Sequence, residues 1–335
     1  MRTILAAGGV TTVLLAAGSA PAQDTREQIW SIRIDGTGLR NLSRGGRNDF
    51  SPAVSRDGRR IAFVRDGNQL WVMNADGSGQ RSLGVQVDVV KSWSPDGRRI
   101  AFTSESDALG SGVWTVDADG SGFRRLLPRA EAPLWAPRGE RVVVQDWDQS
   151  TCPPTFATNC AEPFLETVRS DGTGLRTIAR RAQQAAWSPD GKRIAYAGDS
   201  ANSQVARTID VANADGTHPR KVFSVRRLRH TVSVILPRWS PDGRLVSFLA
   251  DGPNGGFFSA RPDGSHLRRL PRGFVSWSPR GHRILLTRAK GGFAVVILVA
   301  RLDGSHARPL VTLPSGFDSL DWTPDGRRVI YTAHG

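Results

Sequence analysis

A group of residues that could do chemistry lies near the middle of the 335-residue chain, where its repeating pattern is interrupted. Asp146, Trp147 and Asp148 are consecutive, and Glu131 precedes them. The other charged candidates that interrupt the pattern are Lys91, Arg229, His230 and Arg238. Such side chains can act as acids and bases, but their spacing selects neither a catalytic triad nor a carboxylate pair. We therefore predict that these residues bind a partner, and we assign no catalytic residue.

Three histidines, His218, His266 and His306, occupy the same position in successive repeat units. A metal ion needs ligand atoms about 2 Å away, and the outer turns of neighbouring units lie much further apart than that. The three histidines are therefore predicted to be exposed turn residues that replace glycine. We expect neither a metal site nor a cofactor.

The two cysteines, Cys152 and Cys160, lie in one irregular stretch. In an exported protein such a pair is expected to be oxidised. Because the loop between them is short, the disulfide would constrain only this local segment and would not connect distant parts of the fold. A metal site would need more ligands, and no histidine lies between Trp147 and Phe164.

An internal repeat supplies the elements that must position these residues. Its clearest copy is the run Ser-Trp-Ser-Pro-Asp-Gly-Arg-Arg-Ile-Ala-Phe at residues 92–102. Copies of this motif are anchored at Val54, Trp93, Trp135, Trp187, Trp239, Trp277 and Trp322. Proline and aspartate favour the corners of a tight turn and glycine its left-handed position, so each copy predicts a hairpin. The tryptophans in phase with the repeat are predicted to pack between units, whereas Trp147 is out of phase.

A second motif alternates with the first and consists of a hydrophobic strand that ends in Asp-Gly. Its copies are at Asp35, Asp76, Asp119, Asp171, Asp215, Asp263 and Asp303. Asp-Gly is a strong hairpin signal, and most copies are followed by Arg-x-Leu or a close variant. Each unit therefore contains four strands, and units that recur about every 45 residues predict the blades of an all-β propeller.

The order of the motifs at the two ends of the sequence predicts how the array closes. Residues 29–36 form the second half of a unit, and residues 322–331 form the first half of another. The two halves would complete one blade and remove the exposed edges of the array. We therefore predict a β-propeller of seven four-stranded blades, the last closed by N- and C-terminal strand pairs. Six blades would result if a degenerate unit, at Val54 or Trp135, formed no blade.

The run Trp-Ser-Pro-Asp-Gly-(Arg/Lys)-(Arg/Lys)-Ile-Ala-(Phe/Tyr), followed by a strand ending in Asp-Gly, resembles the WD-like repeat of TolB-like propellers. The resemblance covers essentially all of residues 28–333. It implies a periplasmic or secreted protein that acts through contacts with proteins or polymers. We expect no counterpart of the α/β domain of TolB itself. The Gly-x-Ser-x-Gly elbow of the related peptidases is not found in the sequence.

The N-terminal residues have the pattern of a secretory leader. Arg2 is followed by an apolar stretch from Ile4 to about Ala17, and Ala20 and Ala22 provide a small-x-small cleavage pattern. We predict a signal peptide over 1–22 and a propeller over 23–335, with the alternative that the leader is retained as a membrane anchor. No later segment is predicted to cross a membrane. The protein is expected to be periplasmic, cell-wall associated or extracellular.

The formal net charge is +14, and nearly all the cations are arginines. Many of these arginines recur at fixed repeat positions, which is typical of solvated strand and turn residues. Aromatic residues are not interleaved with them as a base-stacking surface requires, so nucleic acid is not an expected partner. The expected partners are a protein or an anionic cell-envelope polymer, and the expected state is a monomer.

The irregular segments all fall on one predicted face of the propeller. Both turn motifs belong to the opposite face, and the longest departures from the repeat are 145–164 and 221–237. Variable loops on a rigid scaffold are where binding residues concentrate. We predict an exported, non-catalytic binding scaffold that engages its partner through this irregular face. The alternative is a polysaccharide-active or peptidase-like enzyme that uses the mouth of the propeller channel.

Overall fold

The computed structural model describes residues 26–44, 47–105, 109–148, 150, 161–200, 205–228, 230–314, 317 and 319–334. The regular structure of these residues is 28 β-strands and one short 3-10 turn. The predicted leader over 1–22 and the predicted disulfide between Cys152 and Cys160 lie outside the described residues, as does Arg229.

The strands follow one another along the chain with short connections. In order, the first fourteen are β1 (Glu27–Arg33), β2 (Arg40–Asn41), β3 (Asp49–Val54), β4 (Arg60–Arg65), β5 (Gln69–Asn74), β6 (Arg81–Gln86), β7 (Val89–Trp93), β8 (Arg99–Ser104), β9 (Gly112–Asp117), β10 (Arg124–Pro128), β11 (Glu131–Trp135), β12 (Arg141–Asp148), β13 (Glu162–Arg169) and β14 (Arg176–Arg180). The others are β15 (Gln183–Trp187), β16 (Arg193–Gly198), β17 (Thr208–Asn213), β18 (Arg220–Ser224), β19 (Ser233–Trp239), β20 (Val246–Asp251), β21 (Gly256–Ala260), β22 (Arg268–Arg269), β23 (Phe274–Trp277), β24 (Arg283–Gly291), β25 (Ala294–Arg301), β26 (Arg308–Leu313), β27 (Leu320–Trp322) and β28 (Arg328–His334). The 3-10 turn, η1 (Val225–Arg227), follows β18.

The strands form seven four-stranded antiparallel sheets, so the fold is a seven-bladed β-propeller, as predicted. Blades 1 to 6 each take four consecutive strands, from β3–β6 to β23–β26. Blade 7 has the order β2-β1-β28-β27. Its central pair, β1 and β28, is in register from Glu27 opposite His334 to Arg33 opposite Arg328. The degenerate units each form a complete blade, which excludes the six-bladed alternative.

The described residues divide into two compact units. Unit 1 takes the described residues up to Ile100, then Val116–Gly122, and the described residues from Pro271 onward. Unit 2 takes Ala101–Thr115 and Phe123–Leu270. Each unit has buried aliphatic and aromatic clusters, for example around Tyr331 in unit 1 and Phe248 in unit 2.

The Ser-Pro-Asp-Gly motif forms the hairpin turn that its composition predicts. In blade 4 the Gly191 N–H donates to the Ser188 carbonyl at 2.8 Å, and Gly191 has a φ of 72°. The Ser188 hydroxyl donates to an Asp190 carboxylate oxygen at 2.6 Å and accepts from the Arg193 N–H at 2.9 Å. The Asp190 carboxylate also accepts from the Lys192 N–H at 3.1 Å. The Ser188 hydroxyl and the Asp190 carboxylate therefore make these hydrogen bonds within the turn itself.

The Asp-Gly turns and the tryptophans also act as predicted. His218, His266 and His306 have φ values of 52°, 55° and 53°, in the left-handed region where glycine stands in the sister turns. The Trp187 indole N–H donates to the Leu134 carbonyl of the preceding blade at 3.0 Å, and the Trp239 indole N–H to Ala186 at 3.1 Å. The repeat residues therefore build turns and contacts between blades.

The two longest irregular segments contain more regular structure than the sequence suggested. Residues 145–148 and 162–164 continue β12 and β13, and Asp148 pairs with Glu162. The segment 221–237 contains the end of β18, the turn η1 and the start of β19. In blade 3 the pairing of β12 with β13 extends past the length typical of the repeat.

The Ser188 turn gives a direct test of this scaffold. Because Ser188 is fully buried, Ser188→Ala leaves the Arg193 N–H without its acceptor and should lower the free energy of unfolding by about 1–3 kcal/mol. The measurement is urea unfolding followed by circular dichroism. Ser121→Ala is the control, since its hydroxyl donates to Asp119 in an exposed turn, and it should cost no more than about 0.5 kcal/mol. Equal losses would contradict the assigned role.

Candidate functional site

The outer part of blade 3 carries the central group of predicted residues. The strands β12 and β13 each run for eight residues, and their pairing places Asp146 opposite Phe164 and Asp148 opposite Glu162. Side chains alternate between the two faces of a strand. Asp146 and Asp148 therefore share one face of the sheet, and Trp147 lies on the other. Strand pairing, and not a loop, positions these residues.

One face of blade 3 joins acidic, basic and aromatic groups. The Arg180 guanidinium donates to the Asp148 carboxylate at 3.2 Å and lies 5.9 Å from the centre of the Phe164 ring. On the same face the Thr177 hydroxyl donates to the Glu166 carboxylate at 3.2 Å. Arg180 is exposed and Glu166 is buried, so the face extends from solvent into the blade.

The carboxyl groups of this face have opposite electrostatic environments. Burial raises the pKa of Glu166, and the nearby charge of Asp146 raises it further. Burial also raises the pKa of Asp146, although the Trp147 N–H and the charge of Arg129 act in the opposite direction. The Ser150 hydroxyl and N–H hold the pKa of the half-buried Asp148 below its ordinary value, with help from Arg180. Two acids that resist ionisation thus lie near one that is readily ionised.

The other face of blade 3 begins a chain of hydrogen bonds that crosses to the next two blades. The Gln145 side-chain amide donates to the Glu131 carboxylate at 3.1 Å, and its carbonyl oxygen accepts from the Gln184 N–H at 3.1 Å. The Gln184 side-chain carbonyl accepts in turn from the Leu236 N–H at 2.7 Å. This glutamine chain connects β11, β12, β15 and β19 within unit 2.

The backbone along the glutamine chain is strained. Ala132, Gln184 and Leu236 have φ values of 52°, 55° and 57°, and the register of each strand pair shifts at these points. Left-handed residues other than glycine cost of the order of 1–3 kcal/mol each and persist only where the surroundings hold them. The side-chain amides of Gln145 and Gln184 bond the N–H groups of two of these residues. The same left-handed residue occurs at Ser51 of blade 1, with a φ of 55°, so it is a feature of the repeat, and the glutamines provide acceptors at two of its copies.

The remaining predicted residues are more scattered. Arg238 lies on β19, two residues after Leu236, and His230 lies in the turn that precedes this strand. The glutamine chain therefore links the strand of Arg238 to Glu131. Lys91 lies on β7 in unit 1 and is not part of this group. Arg229 lies outside the described residues.

Four residues of the site were not among the sequence candidates: Gln145, Glu166, Arg180 and Gln184. A signal for Gln184 is present in the sequence, because it lies three residues before Trp187, at a position where sister strands have small or apolar residues. Glu166 and Arg180 carry no comparable signal, since their proximity to Asp146 and Asp148 depends on the register of three strands.

Three further features of the described residues bear on function. No group of three His, Cys, Asp or Glu side chains is placed to hold a metal ion in the described part of the chain. A cavity of about 440 Å³ in unit 1 is lined by Arg60, Asp96, Arg98, Arg99, Asp117, Ala118 and Asp119. These are repeat turn and strand-end residues, so the cavity contains none of the predicted binding residues. No helix among the described residues is long and apolar enough to cross a bilayer.

Comparison with known proteins relates the chain to two groups of relatives. No family model matches it. It is 25% identical over 329 residues to dipeptidyl-peptidase 5 of Porphyromonas gingivalis, a match that covers 92% of the chain and 40% of that enzyme. It is 45% identical over 73 residues to the Tol-Pal system protein TolB of Anaeromyxobacter dehalogenans, covering 20% of the chain and 17% of TolB. The chain thus spans less than half the length of either relative.

Solved structures share the fold over nearly the whole chain. A TolB-type protein of Agrobacterium tumefaciens aligns with a TM-score of 0.57 at 18% identity, covering 92% of the chain and 98% of that structure. Oligogalacturonate lyase of Vibrio parahaemolyticus aligns with a TM-score of 0.67 at 14% identity, covering 92% and 97%. At such low sequence identities the alignments are evidence for the fold alone. The repeat, the seven blades and these alignments show that the chain has a β-propeller fold similar to that of the TolB-type structure.

Proposed function

We propose that the protein is an exported, non-catalytic binding scaffold whose partner, a protein or a cell-envelope polymer, binds at the outer part of blade 3. The observation that carries this proposal is the extension of β12 and β13, which presents Asp146, Trp147 and Asp148 on paired strands. All three side chains are only half-buried. The extended strands therefore present carboxylates on one face and an indole on the other, on a rigid support.

The composition of this surface suits an interface. Tryptophan and arginine are the residues that most often dominate binding energy, and the extended strand pair carries Trp147 on one face and the Asp148–Arg180 ion pair on the other. Exposed ion pairs of this kind contribute little to folding. Their groups can therefore exchange partners when another molecule binds.

Rigidity favours binding for a second reason. The glutamine chain holds the first strands of blades 3, 4 and 5 in a strained conformation before any partner is present. A surface that is already ordered loses less conformational entropy on association. The strain at Ala132, Gln184 and Leu236 is thus consistent with a preorganised recognition surface.

The comparisons support an exported binding role in a limited way. The 73-residue match to TolB, a protein of the Tol-Pal system, favours a periplasmic, cell-wall associated or extracellular location. The pattern of the leader over 1–22 favours the same location. A protein partner is the simplest extension of the TolB match to this chain.

Capture of the partner tests the proposal. Trp147→Ala combined with Arg180→Gln should reduce capture of a specific partner from an envelope extract at least tenfold, because it removes the aromatic and the exposed cation of the surface. The measurement is a pull-down with quantitative mass spectrometry on the folded variant.

A matched variant controls for the general effect of removing one aromatic side chain and one positive charge. Trp71→Ala with Arg47→Gln removes a half-buried indole and an exposed, ion-paired arginine from blade 1 in unit 1. This variant should retain full capture. Unchanged capture by the blade 3 variant, or equal losses in both, would exclude the proposed surface.

A second candidate, an enzyme, is favoured by one observation. Glu166 and Asp146 both have a raised pKa, which is the condition for a general acid, and perturbed carboxyls cluster at active sites. The likeness to oligogalacturonate lyase and the match to a dipeptidyl-peptidase name the substrates to try. Cleavage of oligogalacturonate or release of dipeptides, abolished by Glu166→Gln, would favour an enzyme over a scaffold.

The raised pKa of Glu166 also predicts how stability depends on pH. A carboxyl whose pKa is higher in the folded than in the unfolded protein costs stability once the pH exceeds its ordinary value of 4.5. Glu166→Gln should therefore raise the unfolding midpoint at pH 7 and leave it unchanged near pH 3, where the carboxyl is protonated in both states. Thermal unfolding at the two pH values measures this. A variant that is less stable at pH 7 would show that the carboxylate has a stabilising partner.

Export is tested by the N-terminus of the mature protein. Edman sequencing or intact mass of protein recovered from the envelope or medium should give a chain that starts at Gln23. An intact Met1 in membrane fractions would instead support the retained anchor.

A further inference from the structure

Arginines stand directly opposite one another on the turn side of blades 6 and 7, both in unit 1. In blade 7 Arg33 pairs with Arg328, and Arg40 pairs with Ser31 on the neighbouring strand. Blade 6 has the same arrangement in the same register, with the triplet Arg283, Arg301 and Arg308. We call these six arginines, together with Leu39 and Leu302, the basic turn edge. Its two halves are adjacent, because a Cβ added at Gly36 would lie 3.8 Å from the Pro309 carbonyl oxygen.

This arrangement is electrostatically unfavourable for the folded chain. Like charges directly opposite on paired strands destabilise a sheet. Burial lowers the pKa of Arg328, and the charges of Arg40 and Arg33 lower it further. Among the described residues none of the six arginines forms an ion pair. An anionic ligand would remove the repulsion.

Nearby aspartates do not neutralise the edge. Asp35 and Asp303 lie close enough to Arg33 and Arg301 for those charges to lower their pKa. Their carboxylates, however, accept hydrogen bonds from Thr37 and Ser305 within their own turns. Three turn aspartates, Asp35, Asp303 and Asp325, against six arginines still leave a positive excess along the edge.

Exposed leucines adjoin these arginines. Leu39 is 51% exposed and precedes Arg40, and Leu302 is 42% exposed and follows Arg301. Water is a poor environment for such side chains, and isolated ones are common, but here one exposed leucine lies beside each arginine triplet, after the turn in blade 7 and before it in blade 6. A cationic surface with apolar tips matches the chemistry of a lipid interface.

The same combination is present in unit 2. Arg141 pairs with Arg169 in blade 3, and Arg176 pairs with Thr167. Leu175, which is 49% exposed, precedes Arg176. The Arg141 guanidinium donates to the Thr167 hydroxyl and to the Gly174 carbonyl, as Arg328 does to Ser31 and Gly38. Paired arginines near an exposed leucine therefore occur in several blades and are not confined to one turn.

We propose that the basic turn edge binds the surface of an anionic phospholipid membrane. The guanidinium groups pair with headgroup phosphates, for which their planar donor geometry is suited, and Leu39 and Leu302 enter the boundary of the acyl chains. A soluble polyanion would satisfy the arginines but would leave the leucines in water. The leucines therefore favour a lipid surface over a dissolved polymer. This surface is separate from the blade 3 residues, so the inference does not depend on the proposed function.

Vesicle co-sedimentation of the full chain tests the inference. We expect binding to vesicles of phosphatidylglycerol and phosphatidylcholine, weaker binding at high salt, and little binding to phosphatidylcholine alone. Arg40→Gln with Arg308→Gln should weaken binding about tenfold, since each arginine near an anionic surface contributes to the attraction. The control with the same net charge is Arg288→Gln with Lys290→Gln, exposed residues near the opposite end of blade 6, which should bind like the parent.

A leucine variant separates lipid from soluble polyanion. Leu39→Ser with Leu302→Ser should weaken binding to the anionic vesicles and leave binding to inorganic polyphosphate unchanged. Val232→Ser with Phe293→Ser removes two other exposed hydrophobics and should change neither. Equal binding to both vesicle types, equal loss in the two arginine variants, or no effect of the leucine variant would overturn the inference. None of these variants alters blade 3, so partner capture there can fail or succeed independently.

Discussion

The pairing of β1 with β28 is the constraint on which the rest of the structure depends. Seven residues from each end of the described chain lie in register, and Ile32, Val329 and Tyr331 join the buried cluster that also contains residues of blade 6. Without this pairing, two half-blades would each expose a strand edge and half of a hydrophobic face. Closure by the terminal strands turns a linear repeat into a complete set of seven sheets.

In these blades the polar groups of the repeat residues make structural hydrogen bonds, so few of them are available for chemistry. Ser188 and Asp190 exchange hydrogen bonds inside their own turn, Gly191 takes the left-handed corner, and Trp187 bonds the preceding blade. The same turn bond recurs at Ser94 and Ser240, and Trp93 and Trp239 likewise bond the preceding blade. Departures from the repeat, such as Gln145 and Gln184, are consequently the residues whose presence needs a separate explanation.

Destabilising features occur both among the departures from the repeat and within the repeat itself. Blade 3 buries Glu166 near Asp146, the glutamine chain holds non-glycine residues at positive φ, and the basic turn edge sets arginine opposite arginine. Each feature has a free-energy cost in the isolated protein. Proteins accept such conflicts chiefly at functional sites, where a ligand or partner can offset them. The two surfaces are independent, since blade 3 presents mixed charge with an indole and the turn edge presents cations with leucines.

The sequence by itself determined the all-β propeller, its seven blades, the closing of blade 7 and the turn role of His218 and its equivalents. These features follow from signals such as Pro-Asp-Gly, which act within one hairpin and are repeated many times. Only the tertiary structure decided that Asp146 and Asp148 lie on strands, that Glu166 and Arg180 join them, and that Gln145 reaches Gln184. Those contacts depend on strand register and on neighbouring blades, and a shift of one residue would move every side chain to the other face. Pairwise placement across strands cannot be read from local composition.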